Sequence, residues 1–169
     1  ERIARTGKEI ILSTGMSSLN ELDITAQFLN NRNVPYALLQ CTSAYPTDAS
    51  QWGLNQIKEL RERYQVPTGF SDHSGDIYAC LAAAALGAEI LEFHVTFDQR
   101  SYGPDATSSL TIDQIKMLVH GIRDIEKGMA YPVDKLSMDS CRDIKAIFEK
   151  SLAVNKDLPA GHILTFGDL

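Results

Sequence analysis

Two histidines close short apolar runs, in Gly69-Phe70-Ser71-Asp72-His73 and Glu92-Phe93-His94. They stand one helix and one strand apart, so in a parallel sheet each occupies the tip of one of two neighbouring strands, roughly 5 Å apart. Imidazoles so placed can meet on one divalent ion. The competing reading is a pair of hydrogen-bonded histidines in a polar mouth. Two protein ligands would leave positions open for substrate oxygens and water, which suits a catalytic ion and not a closed structural zinc. Imidazole favours Mn, Fe, Co or Zn over Mg or Ca. Two further runs also end in polar clusters, Ser13-Thr14-Gly15-Met16 and Gln40-Cys41-Thr42-Ser43-Ala44-Tyr45-Pro46. One such cluster alone reads as a helix cap. Four in succession read as a binding mouth, because parallel α/β folds carry their chemistry on the loops at the carboxyl ends of the strands.

The elements that must hold these residues follow a strand-then-helix rhythm. Ile10–Ser13, Tyr36–Cys41 and residues 67–71 and 89–95 are short apolar runs of the kind found in buried parallel strands. After the first, Ser18 and Glu21 form a capping box, and Leu19, Leu22, Ala26 and Leu29 fall on one helical face. Leu54, Ile57, Leu60 and Tyr64 align in a second helix. The alanine-rich stretch 77–86 must pack closely on the strands, with Gly87 as its stop. Thr111 and Gln114 form another capping box, opening a helix whose Ile112, Ile115, Leu118, Val119, Ile122 and Ile125 make an apolar stripe to Gly128. Strict repetition implies an α/β fold with a parallel sheet, and four units make either a small open sheet or half of a (βα)8 TIM barrel. Two features favour the half barrel: residues 1–6 read as a helix tail stopped by Gly7, and neither GxGxxG nor GxxxxGK occurs. From Tyr131 the rhythm breaks. Pro132, Asp134, Lys135, Ser137, Met138 and Asp139 read as a polar connector, residues 151–154 as a short strand and 155–162 as a turn. Residues 1–130 are thus expected to be half a barrel, and 131–169 a linker and the truncated start of a second small domain.

Composition narrows the function classes. The 169 residues are 44% apolar and 22% charged, as in ordinary globular proteins. A net charge of −6 with sixteen scattered Lys and Arg argues against a nucleic-acid partner. No apolar run approaches the roughly 20 residues needed to cross a membrane, and Glu1-Arg2-Ile3-Ala4-Arg5 lacks a signal-like core, so the expected location is cytoplasmic. Cys41, Cys80 and Cys141 have no metal-ligand spacing and read as reduced, mostly buried thiols. His120 and His162 are expected on the solvent side, and Trp52 either lines the mouth or packs.

Five ordered motifs carry a family resemblance: Leu12-Ser13-Thr14-Gly15-Met16, Leu39 to Pro46, Gly69 to His73, Ala85-Leu86-Gly87-Ala88 with Glu92-Phe93-His94, and Gly103-Pro104-Asp105. Together they resemble the sialic acid synthase family, which includes N-acetylneuraminate, legionaminate and pseudaminate synthases. The resemblance implies strands five to eight of a (βα)8 barrel, with residues 151–169 similar to the start of an antifreeze-like domain. It implies a transferase that joins phosphoenolpyruvate to the aldehyde of an N-acylated hexosamine such as N-acetylmannosamine, with water attacking C2 and phosphate leaving. A divalent metal, usually Mn2+, would be held by His73 and His94 and would polarise the aldehyde. Ser13 and Ser71 match serines that hold the phosphate, and Ser43 stands where asparagine is common. Tyr45 and Asp105 match sugar-side residues, and Glu92 is expected to point away from the lumen as an anchor for a histidine. A homodimer is implied for the full-length protein.

Departures at Phe93, Ser74 and Tyr102 put the sugar's identity in doubt. The family's phosphate-binding lysines and catalytic glutamate belong to early strands that this chain lacks, so the isolated chain is expected to be inactive. Rival readings are a deoxy-octulosonate phosphate type of synthase, whose metal set includes a cysteine and carboxylates, a metal-dependent hydrolase, and a non-catalytic half-barrel binding or assembly module.

Overall fold

Alternating exposure along Ile10–Ser13 (β1) and unbroken burial through most of Tyr36–Cys41 (β2) and all of Thr68–Asp72 (β3) place β2 and β3 inside a sheet. Leu91–Thr96 (β4) and Ser109–Thr111 (β5) extend it to five strands in the order β1-β2-β3-β4-β5, with every neighbouring pair parallel. This computed structural model describes residues 1–137 and 139–169; Met138 of the expected connector lies outside them. The fifth strand is a correction to the four-strand expectation. It is only three residues long and its Thr111 doubles as a helix N-cap, so the capping signal hides it.

The helices between and after the strands are Leu19–Asn30 (α1), Asn55–Tyr64 (α2), Tyr78–Ala85 (α3) and Ile112–Ala130 (α4). Both capping boxes form. Ser18 N donates to the Glu21 carboxylate and Glu21 N to Ser18 Oγ, while Thr111 and Gln114 exchange the equivalent bonds. Gly87 follows α3 at φ 85°, and the Arg61 guanidinium donates to its carbonyl. Gly128 does not stop α4, which runs on to Ala130. Residues 1–6 supply only a 3-10 turn at Ala4–Thr6, closed by Gly7 at φ 68°.

All four helices pack on one face of the sheet. Leu22, Ala26 and Leu29 of α1 meet Tyr36, Leu38 and Leu60, and Ile57, Ala79, Cys80, Ala83 and Leu118 close around Phe70 and Leu110. Each fully buried aliphatic side chain contributes about 1.5–3 kcal/mol. Trp52, partly buried, packs against the second cluster. In the α4 stripe, Leu118 is buried and Ile115 and Ile122 pack on the core, while Ile112 and Val119 stay exposed. The opposite face of the sheet presents Ile11, Ser13, Leu39 and Glu92 to one depression of about 600 Å³. Gly69, the register partner of Leu39, shares that face, and a Cβ there would sit 2.2 Å from the Ile90 carbonyl oxygen and 2.5 Å from Leu39 Cδ2.

The chain divides into two compact units, Glu1–Tyr131 and Pro132–Leu169. The second holds a helix, Arg142–Phe148 (α5), and no strand among its described residues. The strand expected at 151–154 is absent. Those four residues are exposed and find no ladder to join. The unit is organised instead around Asp168, which is 3% exposed and accepts from Lys156 Nζ at 2.7 Å, His162 Nε2 at 3.0 Å and Thr165 N at 2.8 Å. His162 is thus engaged but exposed, as is His120 on α4 beside Asp124. Cys80 is buried, Cys41 and Cys141 are half-buried, and all three are free thiols. Among the described residues no helix is long and apolar enough to cross a membrane.

Candidate metal and substrate site

Parallel pairing brings the strand tips into line. Cys41 is the register partner of Ser71, Ser71 of Glu92, and His94 of Ser109, so these residues share the open face. His73 lies just past the end of β3 and is 6% exposed. Its ring centroid is 5.2 Å from that of His94, with 58° between the planes. Tyr45 completes an aromatic trio, 4.3 Å from His73 and edge-on to His94 at 5.9 Å.

The surroundings set the state of each ring. His73 Nδ1 lies 3.0 Å from the carbonyl oxygen of Thr42. A carbonyl only accepts, so Nδ1 carries the proton and donates, which leaves Nε2 with a free lone pair. Thr42 is itself held by the loop, its Oγ1 donating to Gln51 O at 2.6 Å. Thr47 N donates to His73 O at 2.9 Å and so ties the β2 loop to the β3 tip. His94 is more open, its side chain 36% exposed, and its Nδ1 stands 3.9 Å from Asp105 Oδ2. That is too long for a hydrogen bond.

The separation of the rings allows a shared transition metal. Coordinating nitrogens lie about 2.0–2.1 Å from such an ion, so two ring centres can be separated by up to roughly 6.4 Å around it. The observed 5.2 Å falls within that limit. No group of three His, Cys, Asp or Glu able to hold a metal ion occurs among the described residues.

Other expected residues fall on the same face without all meeting. Ser71 is buried on β3, and Ser13 is exposed at the end of β1 opposite Leu39. Their Cα atoms are separated by two strand spacings and one pleat repeat, roughly 12 Å by strand geometry, so the hydroxyls would approach one ligand from separated positions. Ser43 is exposed, and its Oγ would lie 2.5 Å from a Cβ at Gly15, so the β1 and β2 tips approach closely here. Asp105 is half exposed at the rim.

Glu92 is a correction. Residues 92 and 94 are two apart on one strand and therefore share a face, so Glu92 points to the open side with His94, not away from it. The histidine anchors are the Thr42 carbonyl for His73 and, more loosely, Asp105 for His94. The anchor on His73 escaped sequence reasoning because a main-chain carbonyl has no residue-type signature.

Beneath the tip lies Asp72, 2% exposed, accepting from Ser74 N at 3.0 Å and Ser74 Oγ at 2.9 Å. Burial pushes its carboxyl above the usual aspartate range, and the Ser74 bonds pull partly against this. Burial, with the Asp72 charge, likewise pushes the Cys80 thiol well up. That thiol is inert packing.

Residues 1–133 match the NeuB family. The chain belongs to the NeuB family. Among curated NeuB relatives, the N,N'-diacetyllegionaminic acid synthase of Campylobacter jejuni is 37% identical over all of this chain and 51% of its own length. The human N-acetylneuraminate-9-phosphate synthase is 32% identical over 98% of this chain and 46% of its own. The chain therefore spans about half the length of the curated relatives it matches. A crystal structure of N-acetylneuraminic acid synthetase from Leptospira borgpetersenii superposes with a TM-score of 0.76 at 31% identity, covering 85% of this chain and 50% of that one. The five-stranded parallel α/β sheet is thus the NeuB arrangement. A truncated 3-deoxy-D-arabino-heptulosonate 7-phosphate synthase from Thermotoga maritima, 18% identical with a TM-score of 0.62, shares the fold alone.

Proposed function

We propose that this NeuB chain supplies the metal-binding wall and part of the phosphoenolpyruvate site of a nonulosonic acid synthase, a cytoplasmic transferase. Its five strands are the last five of a (βα)8 barrel, with earlier strands completing the sheet at the free edges of β1 and β5. The reaction joins C3 of phosphoenolpyruvate to the aldehyde carbon of an N-acylated hexosamine such as N-acetylmannosamine. Water adds at C2 and phosphate departs. The observation that carries this reading is the His73–His94 pair, 5.2 Å between ring centres, with His73 Nδ1 committed to Thr42 O.

His73 and His94 would hold a divalent cation, Mn2+ foremost, which when bound supplies Lewis-acid polarisation of the aldehyde oxygen. The enol carbon is a modest nucleophile, so positioning matters as much as activation. Ser71 and Ser13 offer hydroxyl donors to the phosphoenolpyruvate, and Ser43 offers a third at the β2 tip. Asp105, beside His94, would accept bonds from sugar hydroxyls, and Tyr45 lies against His73 and edge-on to His94. A homodimer is the expected assembly of the complete protein.

The test is phosphate release by the complete open reading frame that contains this chain, with Mn2+, phosphoenolpyruvate and a panel of N-acylated hexosamines. Release that requires both substrates, and that the 169-residue chain alone does not support, is the expected result. Phosphate release without any sugar would refute the synthase reading, and robust turnover by the isolated chain would refute the missing-strand reading.

A further inference from the structure

Gln99 lies in the β4–β5 loop, half-buried. Its side-chain amide spends both protons on main-chain carbonyls from two different elements. Nε2 donates to Gly75 O at 2.7 Å and to Ser109 O at 2.8 Å. Gly75 belongs to the loop that leaves β3, two residues after His73. Ser109 opens β5 and is the register partner of His94, and its Oγ donates to Asp105 O at 2.6 Å. One amide therefore joins the segment carrying His73 to the segment that holds both Asp105 and the partner strand of His94.

The turn that presents Gln99 is fixed independently. Asp98 N donates to Thr96 Oγ1 at 3.3 Å, Thr96 Oγ1 donates back to Asp98 O at 3.1 Å, and Arg100 clamps the Asp98 carboxylate at 2.7 Å. The segments it bridges also touch directly, since a Cβ on Gly75 would lie 2.2 Å from Thr107 O. A part-buried carbonyl that loses its donor keeps the desolvation cost. Removing the amide would take this donor from Ser109 O and leave Gly75 O only the longer bond from Gln114 Nε2 at 3.5 Å, and those segments would then have reason to separate and seek water.

We infer that Gln99 is a positioning residue: by tying Gly75 to Ser109 it sets the separation of the His73 and His94 imidazoles and the placement of Asp105. This rests on the metal reading above for its consequence, though not for its geometry. Gln99→Leu keeps the shape and removes both donors, while Gln99→Asn keeps an amide but falls one methylene short of bridging both carbonyls.

Two readouts on the 169-residue chain separate the possibilities. The first, on metal-free protein, is the set of nuclear Overhauser contacts among the rings of Tyr45, His73 and His94. The second is Mn2+ affinity by paramagnetic titration. Both variants are expected to stay folded by circular dichroism, to weaken or lose the contacts from His94 to the other two rings, and to bind Mn2+ about 10–100-fold more weakly, the cost typical of removing an outer-shell partner. Unchanged ring contacts in both variants would overturn the inference. If wild-type protein shows the contacts and the variants lose them, yet wild type binds no Mn2+, the positioning role stands and the metal reading fails. Should Gln99→Leu not fold, Gln99→Asn decides by the same criterion.

Discussion

Replacing Gly75 by alanine asks for two things the backbone resists. At φ 74° the residue is left-handed, which costs a non-glycine residue about 1–2 kcal/mol. The new Cβ would also lie 2.2 Å from Thr107 O, a main-chain atom that cannot rotate away. Restoring an ordinary contact of about 3.5 Å means opening the gap by more than 1 Å, an overpacking strain of about 1–3 kcal/mol. The total is therefore about 2–5 kcal/mol. Gly7 is the control: its φ is 68° and a Cβ there would meet nothing within 4 Å, so Gly7→Ala should cost only the conformational part. Urea denaturation followed by the fluorescence of Trp52, the single tryptophan, reports on the unit that contains both glycines. Gly75→Ala should be the less stable variant by about 1–3 kcal/mol. Equal stability of the two would refute the close approach of the β3 loop to residues 106–108, and with it the account of how His73 is set against the Asp105 turn.

Gly128→Ala should stabilise the chain by about 0.5–1 kcal/mol, because Gly128 sits within α4 with nothing near its would-be Cβ, and thermal melting checks the sign. In the Pro132–Leu169 unit, bonds from Lys156, His162 and Thr165 hold the Asp168 carboxyl below its ordinary value of 3.8. The folded state then binds fewer protons than the unfolded one, so this contribution is present above pH 3.8 and is lost as pH falls through the depressed folded value. Amide chemical-shift dispersion of residues 132–169 should collapse on acidification, and Asp168→Asn should weaken the unit at neutral pH; a wild-type spectrum for that variant would contradict the hub.

Much of the scaffold was legible because its signals are local. Ser18 with Glu21 and Thr111 with Gln114 announce their own helix starts, and the apolar runs at 10–13 and 36–41 coincide with β1 and β2. The spacing of His73 and His94 by one helix and one strand is enough to bring their rings to one end of adjacent strands. Where legibility failed, the cause is non-local. The three-residue β5 exists because β4 offers it a ladder, and residues 151–154, irregular and exposed, pair with no strand among the described residues. Glu92 was misplaced by parity, which pairing with Ser71 resolves. The Thr42 carbonyl, Gly15 and Gln99 act through main-chain atoms or through the absence of a side chain, and no residue-type pattern marks such roles in advance.

The central claim is that two imidazoles on neighbouring strand tips share one cation. Isothermal titration of Mn2+ into the wild-type chain, His73→Ala and His94→Ala tests it most directly. One site per chain is expected, weakened in each variant by more than the roughly 10–100-fold that loss of an outer-shell partner costs. Affinity that survives both substitutions unchanged would contradict it.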